Sequence, residues 1–293
     1  MNTSLEAIMS QTKRAFQGNW QSVALGTFLC SLYTFIALIL LLGWSVWIIW
    51  HKTGMDLNED WVWHLVILWI GICITGPFSA GYVKFLVKII KHNHSDFPLL
   101  MSGFKNVDKT FLIGLYSSGF LVLSMVLCVF LVLVSNAISP TLATNPLFRI
   151  ILTICMSWFI VMIQLRVTWI PYFIYREHGN TMSAWAIVKA SWHLMEGNEV
   201  SLFLLHLRFI GWNLIAILTL GIGYFWVHPY IIGSIYYFYQ DIKTSCGESQ
   251  FAQILQGRRI IREVSYKEWS SDKIFTIGFI IIFWSCMIGL AFS

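Results

Sequence analysis

The sequence predicts an all-α protein, a polytopic transmembrane helical bundle of about seven spans, and three observations predict it. Residues 22–50 hold no charged side chain, and the stretches 61–83, 110–138, 150–165, 209–227 and 274–292 are comparably apolar. Composition agrees: 57% of residues are hydrophobic, 16% aromatic and only 11% charged, where a soluble domain carries roughly 25% charged residues. The net charge of +5 is also unevenly placed along the chain. Hydrocarbon offers no hydrogen-bond partner to a peptide group, so each apolar stretch reads as a helix that needs about 20 residues to cross.

The charge pattern sets the expected topology. Lys13 and Arg14 precede the first span; Lys84, Lys88, Lys91, Lys105 and Lys109 lie between spans two and three; Arg176 and Lys189 follow span four; Lys243, Arg258, Arg259, Arg262, Lys267 and Lys273 follow span six. The alternate loops are poor in Lys and Arg. The positive-inside rule then places the N-terminus and the basic loops in the cytoplasm. The expected division is a six-span membrane core over 1–243, a basic cytoplasmic linker over 244–273 and a C-terminal transmembrane helix over 274–293. Trp44, Trp47, Trp50, Trp61 and Trp63 fall at the expected outer ends of spans one and two, as an aromatic belt would.

Taken in order, residues 4–17 place Leu5, Ile8, Met9, Thr12 and Phe16 on one helical face, which predicts a helix lying along the membrane surface. A second such helix is predicted over 183–196, with Gly197 as its stop. The two stretches match at a fixed offset of 179 residues: Ser4 with Ser183, Ala7 with Ala186, Ile8 with Ile187, Gly18 with Gly197, Asn19 with Asn198 and Ser22 with Ser201. Even-numbered spans carry Pro followed by an aromatic residue, at Pro77-Phe78, Pro171-Tyr172 and Pro229-Tyr230, and two of these continue to Gly81 and Gly233. The expected plan is three pseudo-repeated helical hairpins, each returning through a helix broken at Pro77, Pro171 or Pro229, with span seven added.

The segments Gly76-Pro77-Phe78-Ser79-Ala80-Gly81, Ser102-Gly103-Phe104-Lys105-Asn106 and Phe209-Ile210-Gly211-Trp212 resemble those of a bacterial integral-membrane family known as domain of unknown function 975. So does Leu218-Thr219-Leu220-Gly221-Ile222-Gly223, with Trp226, Pro229-Tyr230 and Phe238-Tyr239 behind it. The resemblance covers roughly residues 5–243 and implies a six-helix core in the bacterial cytoplasmic membrane, similar to membrane portions found beside some phosphodiester-cleaving enzymes. It lends no activity and no catalytic residue. The basic 258–273 stretch, the added span, and His206 and Arg208 before Phe209 depart from its pattern.

Chemistry has few places to sit. No Asp or Glu falls in the middle of a predicted span, which argues against an ion-coupled carrier. HExxH, paired aspartates and Gly-x-Ser-x-Gly are all missing from the sequence, so no catalytic residue is expected. The fragment His92-Asn93-His94-Ser95-Asp96 reads as a solvated loop rather than a metal site, and the six cysteines contain no CxxC pair. No metal or other cofactor is expected. Arg166 and Arg208 fall at one depth, roughly 10 Å inside the inner boundary at about 1.5 Å rise per residue. Each could snorkel separately to the interface; alternatively, both face the bundle interior and join Gln164 and His206 in a cationic pocket for an anionic headgroup.

The expected protein is therefore non-enzymatic and lipid-interacting, or an accessory or assembly factor of the cell envelope. Its expected partners are membrane lipids, anionic phospholipid favoured, with room for a protein partner and none for nucleic acid. The alternatives are a translocator of lipid or small amphiphile, and a membrane enzyme acting on phosphorylated lipids.

Overall fold

The structure is a computed structural model that describes residues 3–32, 39, 43, 57–138 and 158–256. The C-terminal span at 274–293, the linker from 257 onward, the outer part of span one with Trp44, Trp47 and Trp50, and the start of span four lie outside the described residues, as do the side chains of Trp61 and Trp63. Everything described is helix, turn or irregular chain, without a strand. The helices are α1 (Leu5–Ala15), α2 (Trp20–Leu32), α3 (Leu57–His92), a 3-10 segment (Phe97–Asn106), α4 (Val107–Ile138), α5 (158–167), α6 (Ile170–His178), α7 (Ala184–Met195), α8 (Glu199–Arg208), α9 (Ile210–Leu218) and α10 (Tyr224–Leu255).

The offset of 179 residues is visible in the backbone. The Ser4 hydroxyl accepts the Ala7 N–H at 3.3 Å to start α1, and the Ser183 hydroxyl accepts the Ala186 N–H at 3.2 Å to start α7. Both caps satisfy a donor that a helix start leaves without a partner. Past α1 the Asn19 N–H reaches Phe16 O at 3.0 Å and the Val23 N–H reaches Asn19 O at 2.9 Å. Past α7 the Asn198 N–H reaches Met195 O at 2.9 Å and the Leu202 N–H reaches Asn198 O at 3.0 Å. Gly18 at φ +88° and Gly197 at φ +80° turn the chain out of each helix through the left-handed region that a Cβ disfavours. Both helices therefore lead into the next helix through the same joint.

The Pro-aromatic-x-x-Gly motifs turn out to be seats for these lead-in segments. A Cβ on Gly81 of α3 would fall 1.9 Å from Leu100 O, and one on Gly103 would fall 1.8 Å from Pro77 O, so α3 and the 3-10 segment meet backbone to backbone. On α10, a Cβ at Gly233 would fall 2.7 Å from the Thr12 methyl of α1. The Ser234 hydroxyl donates to Thr12 Oγ1 at 3.2 Å, and the Tyr230 hydroxyl donates to Met9 O at 3.3 Å. The N-terminal helix is thus docked on the last described long helix, and Phe16, Tyr82, Phe85, Phe173, Phe209, Phe238 and Tyr239 fill the core between them.

The expected helix breaks hold only at Pro171. There the chain bends at Thr168 and Trp169 before α6 begins. Arg166 O accepts from the Ser191 hydroxyl of α7, and Gln164 O accepts from the Thr168 hydroxyl at 2.7 Å, so side chains serve carbonyls around the bend. Pro77 and Pro229 instead lie within helices that run on through them, 36 residues in α3 and 32 in α10. The interruption in α10 is at Gly247, φ +72°; beyond it the chain folds back so that Phe251 is buried beside Tyr239 and His178.

Two stretches, Trp158–His178 and Glu199–Leu218, are long and apolar enough to cross a membrane. Most of the second is not buried in the bundle. From α8 to the start of α10 it presents Leu214, Ile215, Ile217, Leu218, Leu220 and Trp226 outward, Leu220 at 95% exposure. Water disfavours an apolar face that continuous.

Candidate functional site

A cavity of about 220 Å³ lies between α5, α8 and α10 and extends along the bend before α6. Its wall is apolar, with Ile160, Leu165, Trp169, Leu202 and Ile235, and polar groups enter it from Gln164, Thr168 and His206. The bend residues Thr168 and Trp169 form part of its lining.

The polar groups are held in fixed roles. The Thr168 hydroxyl lies 2.7 Å from Gln164 O and 3.3 Å from Gln164 Oε1, which pins one end of the amide. The other end, Nε2, is buried with no partner among the described residues. A buried donor left open costs about 1–3 kcal/mol, so a ligand acceptor placed there would recover that energy. The His206 Nδ1 lies 2.9 Å from Leu202 O; a proton on Nδ1 donates to that carbonyl and leaves Nε2 as an acceptor. An apolar chamber with one open donor and one open acceptor suits an uncharged polar group on an apolar body, such as an ester carbonyl or hydroxyl on an acyl chain.

The four residues expected to form one pocket are divided. Gln164 and His206 share the cavity, whereas Arg166 and Arg208 do not line it. Arg166 Nη2 pairs with Glu199 Oε1, and its guanidinium lies 4.4 Å above the Trp192 ring. Arg208 Nη1 pairs with Glu6 Oε1 at 3.1 Å. The open cationic pocket is therefore replaced by two ion pairs. The sequence contained the reason: Glu199 opens α8 and Glu6 opens α1, outside the span centres, yet the bend before α6 and the docking of α1 bring them to the arginines. Nothing in the local spacing reveals an interaction between residues 202 positions apart.

The His92–Asp96 fragment acts as a latch. Asp96 takes Lys88 Nζ on Oδ2 and His94 Nε2 on Oδ1 at 3.0 Å, and Asn93 Oδ1 accepts from the Asn19 amide at the α1–α2 joint. Hydrogen bonding from Lys88 is the largest influence, and with the charges of Lys88 and His94 it holds the Asp96 carboxyl below the usual carboxylate range against the opposing cost of desolvation. Thr168 was not singled out by sequence. Thr168 could have been found as the polar residue among the four between Arg166 and Pro171.

Together these features define an all-helical protein with helices able to cross a membrane and a mostly apolar cavity between three of them. The chain belongs to the family described as protein of unknown function (DUF975), whose profile matches residues 1–245. No curated protein and no solved structure matches it.

Proposed function

We propose that this chain is a non-enzymatic, multi-pass protein of the bacterial cytoplasmic membrane, with seven spans and a cytoplasmic N-terminus, that binds membrane lipid as an accessory factor of the cell envelope. The observation that carries the reading is the cavity between α5, α8 and α10, apolar in its walls and offering the Gln164 Nε2 donor, which has no partner among the described residues. The outward apolar face from Leu214 to Trp226 supports a lipid surround. Anionic phospholipid is favoured by the basic loops, at about 1 kcal/mol per Lys or Arg near the surface. Glu6, Asp96, Glu177 and Glu199 are each committed to a cation, which fits structural acids better than a general acid and base pair. On the proposed topology the polar residues Gln164 and His206 belong to the inner leaflet alone, which supports binding over translocation, since translocation needs a polar path through both leaflets.

The test is lipid mass spectrometry on the full chain purified in mild detergent. Gln164→Leu removes the open donor, and Ile160→Trp fills the chamber. Both are expected to lower the amount of co-purifying lipid while the circular dichroism spectrum stays helical. Unchanged lipid in the Ile160→Trp protein would remove the cavity from the function.

A further inference from the structure

We propose that Lys84, Lys105 and Arg176, with the Asn106 amide beside them, form a binding site on the cytoplasmic face for a phosphate group, carried by a lipid headgroup or by a small soluble phosphate. The site rests on the membrane reading for its placement and is independent of the cavity.

The cations come from three elements, α3, the 3-10 segment and α6. The backbone contacts at Gly81 and Gly103 fix the first two against each other. Lys84 is partly buried, its ammonium 5.0 Å from the centre of the Tyr175 ring, and the Asn106 amide donates to the Tyr175 hydroxyl at 3.5 Å. Arg176 is the next residue after that ring, and its charge acts on the Tyr236 hydroxyl. Burial first, then the Lys105 and Arg176 charges, holds the Lys84 ammonium below the usual lysine range.

Elsewhere the half-buried cations are answered: Lys88 by Asp96, Arg166 by Glu199, Lys243 by Glu177, and Lys109 by Gly179 O and Met182 O at 2.8 and 3.2 Å. Lys84, Lys105 and Arg176 make no ion pair among the described residues. Lys105 and Asn106 also line an open hollow of about 410 Å³ that reaches Asn180, with Asp108 on its wall. Lys84 and the Asn106 amide both reach Tyr175, Arg176 follows that ring in the chain, and Lys105 borders the hollow beside Asn106; cations and an amide donor gathered around one ring match the needs of a phosphate, which offers several acceptor oxygens and up to two negative charges.

The experiment uses the full chain in phosphatidylcholine nanodiscs, titrated with inorganic phosphate in one arm and prepared with added phosphatidic acid in the other. The readout in both arms is thermal stabilisation. The triple variant Lys84→Gln, Lys105→Gln, Arg176→Gln is compared with a control of equal charge loss at exposed positions, Lys13→Gln, Arg14→Gln, Lys91→Gln. The expected result is a loss of about tenfold or more in apparent affinity in the triple variant, with little change in the control. A response to inorganic phosphate assigns a soluble ligand, and a response to phosphatidic acid alone assigns a headgroup. Without ligand, the triple variant is expected to unfold no earlier than the parent, because it relieves repulsion. Earlier unfolding, equal losses in both variants, or no response of the parent to either probe would each overturn the site. The Gln164→Leu protein should keep the full phosphate response, so a failed cavity and a failed phosphate site give different results.

Discussion

Removing one partner of the Arg166–Glu199 pair should expose how deeply this charge sits in the bundle. The two side chains are 22% and 11% exposed, and Glu199 lies in the first turn of α8, where the helix dipole also favours an anion. Breaking a fully buried pair costs about 3–5 kcal/mol, because the remaining charge is left without compensation. Two unit charges 4 Å apart at an effective dielectric constant of 20 interact by about 4 kcal/mol. Discounting for the fifth of Arg166 that reaches solvent, Glu199→Gln should cost about 2–3 kcal/mol. Arg166→Gln should cost about the same plus up to about 1 kcal/mol for its contact with the Trp192 face. The double variant strands no charge, so it should cost little more than either single change, a coupling of about 2 kcal/mol. The Ser191 bond to Arg166 O is made by the backbone and survives both substitutions, so the bend stays in place. The assay is equilibrium unfolding of the purified chain in mixed micelles by added SDS, followed by far-ultraviolet circular dichroism. Single costs below about 0.5 kcal/mol that simply add would show a solvated surface pair and refute the argument.

Two further outcomes follow from the backbone. Gly81→Ala and Gly103→Ala should each destabilise by about 3 kcal/mol, since the added methyl meets carbonyl oxygens that cannot rotate away. Gly197→Ala meets open space and should cost only the left-handed backbone penalty, about 1–2 kcal/mol; the reverse ranking in the same SDS titration would contradict the seating of the 3-10 segment on α3. The Asp96 latch should be pH-dependent with a definite sign. Its folded pKa lies below the usual 3.8, so the latch contributes fully above that value and is lost as pH falls through the lower, folded value. Amide hydrogen exchange of residues 93–99 should accelerate beyond its intrinsic pH trend in that acid window, and Asp96→Asn should abolish the excess.

The parts of the fold that were legible are those specified by adjacent residues. A capping serine, an amphipathic face and a Gly-Asn stop were enough to place α1 and α7, because the hydrogen bonds at each end close within four residues. The consequence of a proline was not legible in the same way. Pro171 stands at the start of a new helix after a bend whereas Pro77 lies inside a continuous one, and the residues adjacent to each proline do not encode that difference. The site divided along the same line. Gln164 and His206 share a cavity because α5 and α8 pack together there. Arg166 and Arg208 turn away from it, because each finds a carboxylate on an element whose position only the tertiary fold determines.

The distribution of charge then carries one more step. Arg166 and Lys243 are partly buried, and each has a carboxylate beside it, contributed by α8 and α6. An uncompensated charge there would cost several kcal/mol. Lys84 is also partly buried, yet the described neighbours placed around it are two more cations and an aromatic ring. Its charge is disfavoured where it stands, and a carboxylate in place of Asn106 would be a simple remedy available to any sequence. Glu at position 106 is therefore an informative substitution. If the cluster serves only to hold the basic loops against the membrane, Asn106→Glu should stabilise the chain and leave its lipid content unchanged. If the cluster binds phosphate, the same substitution should stabilise the free protein and remove its response to phosphate, since the new carboxylate would occupy the place of the ligand.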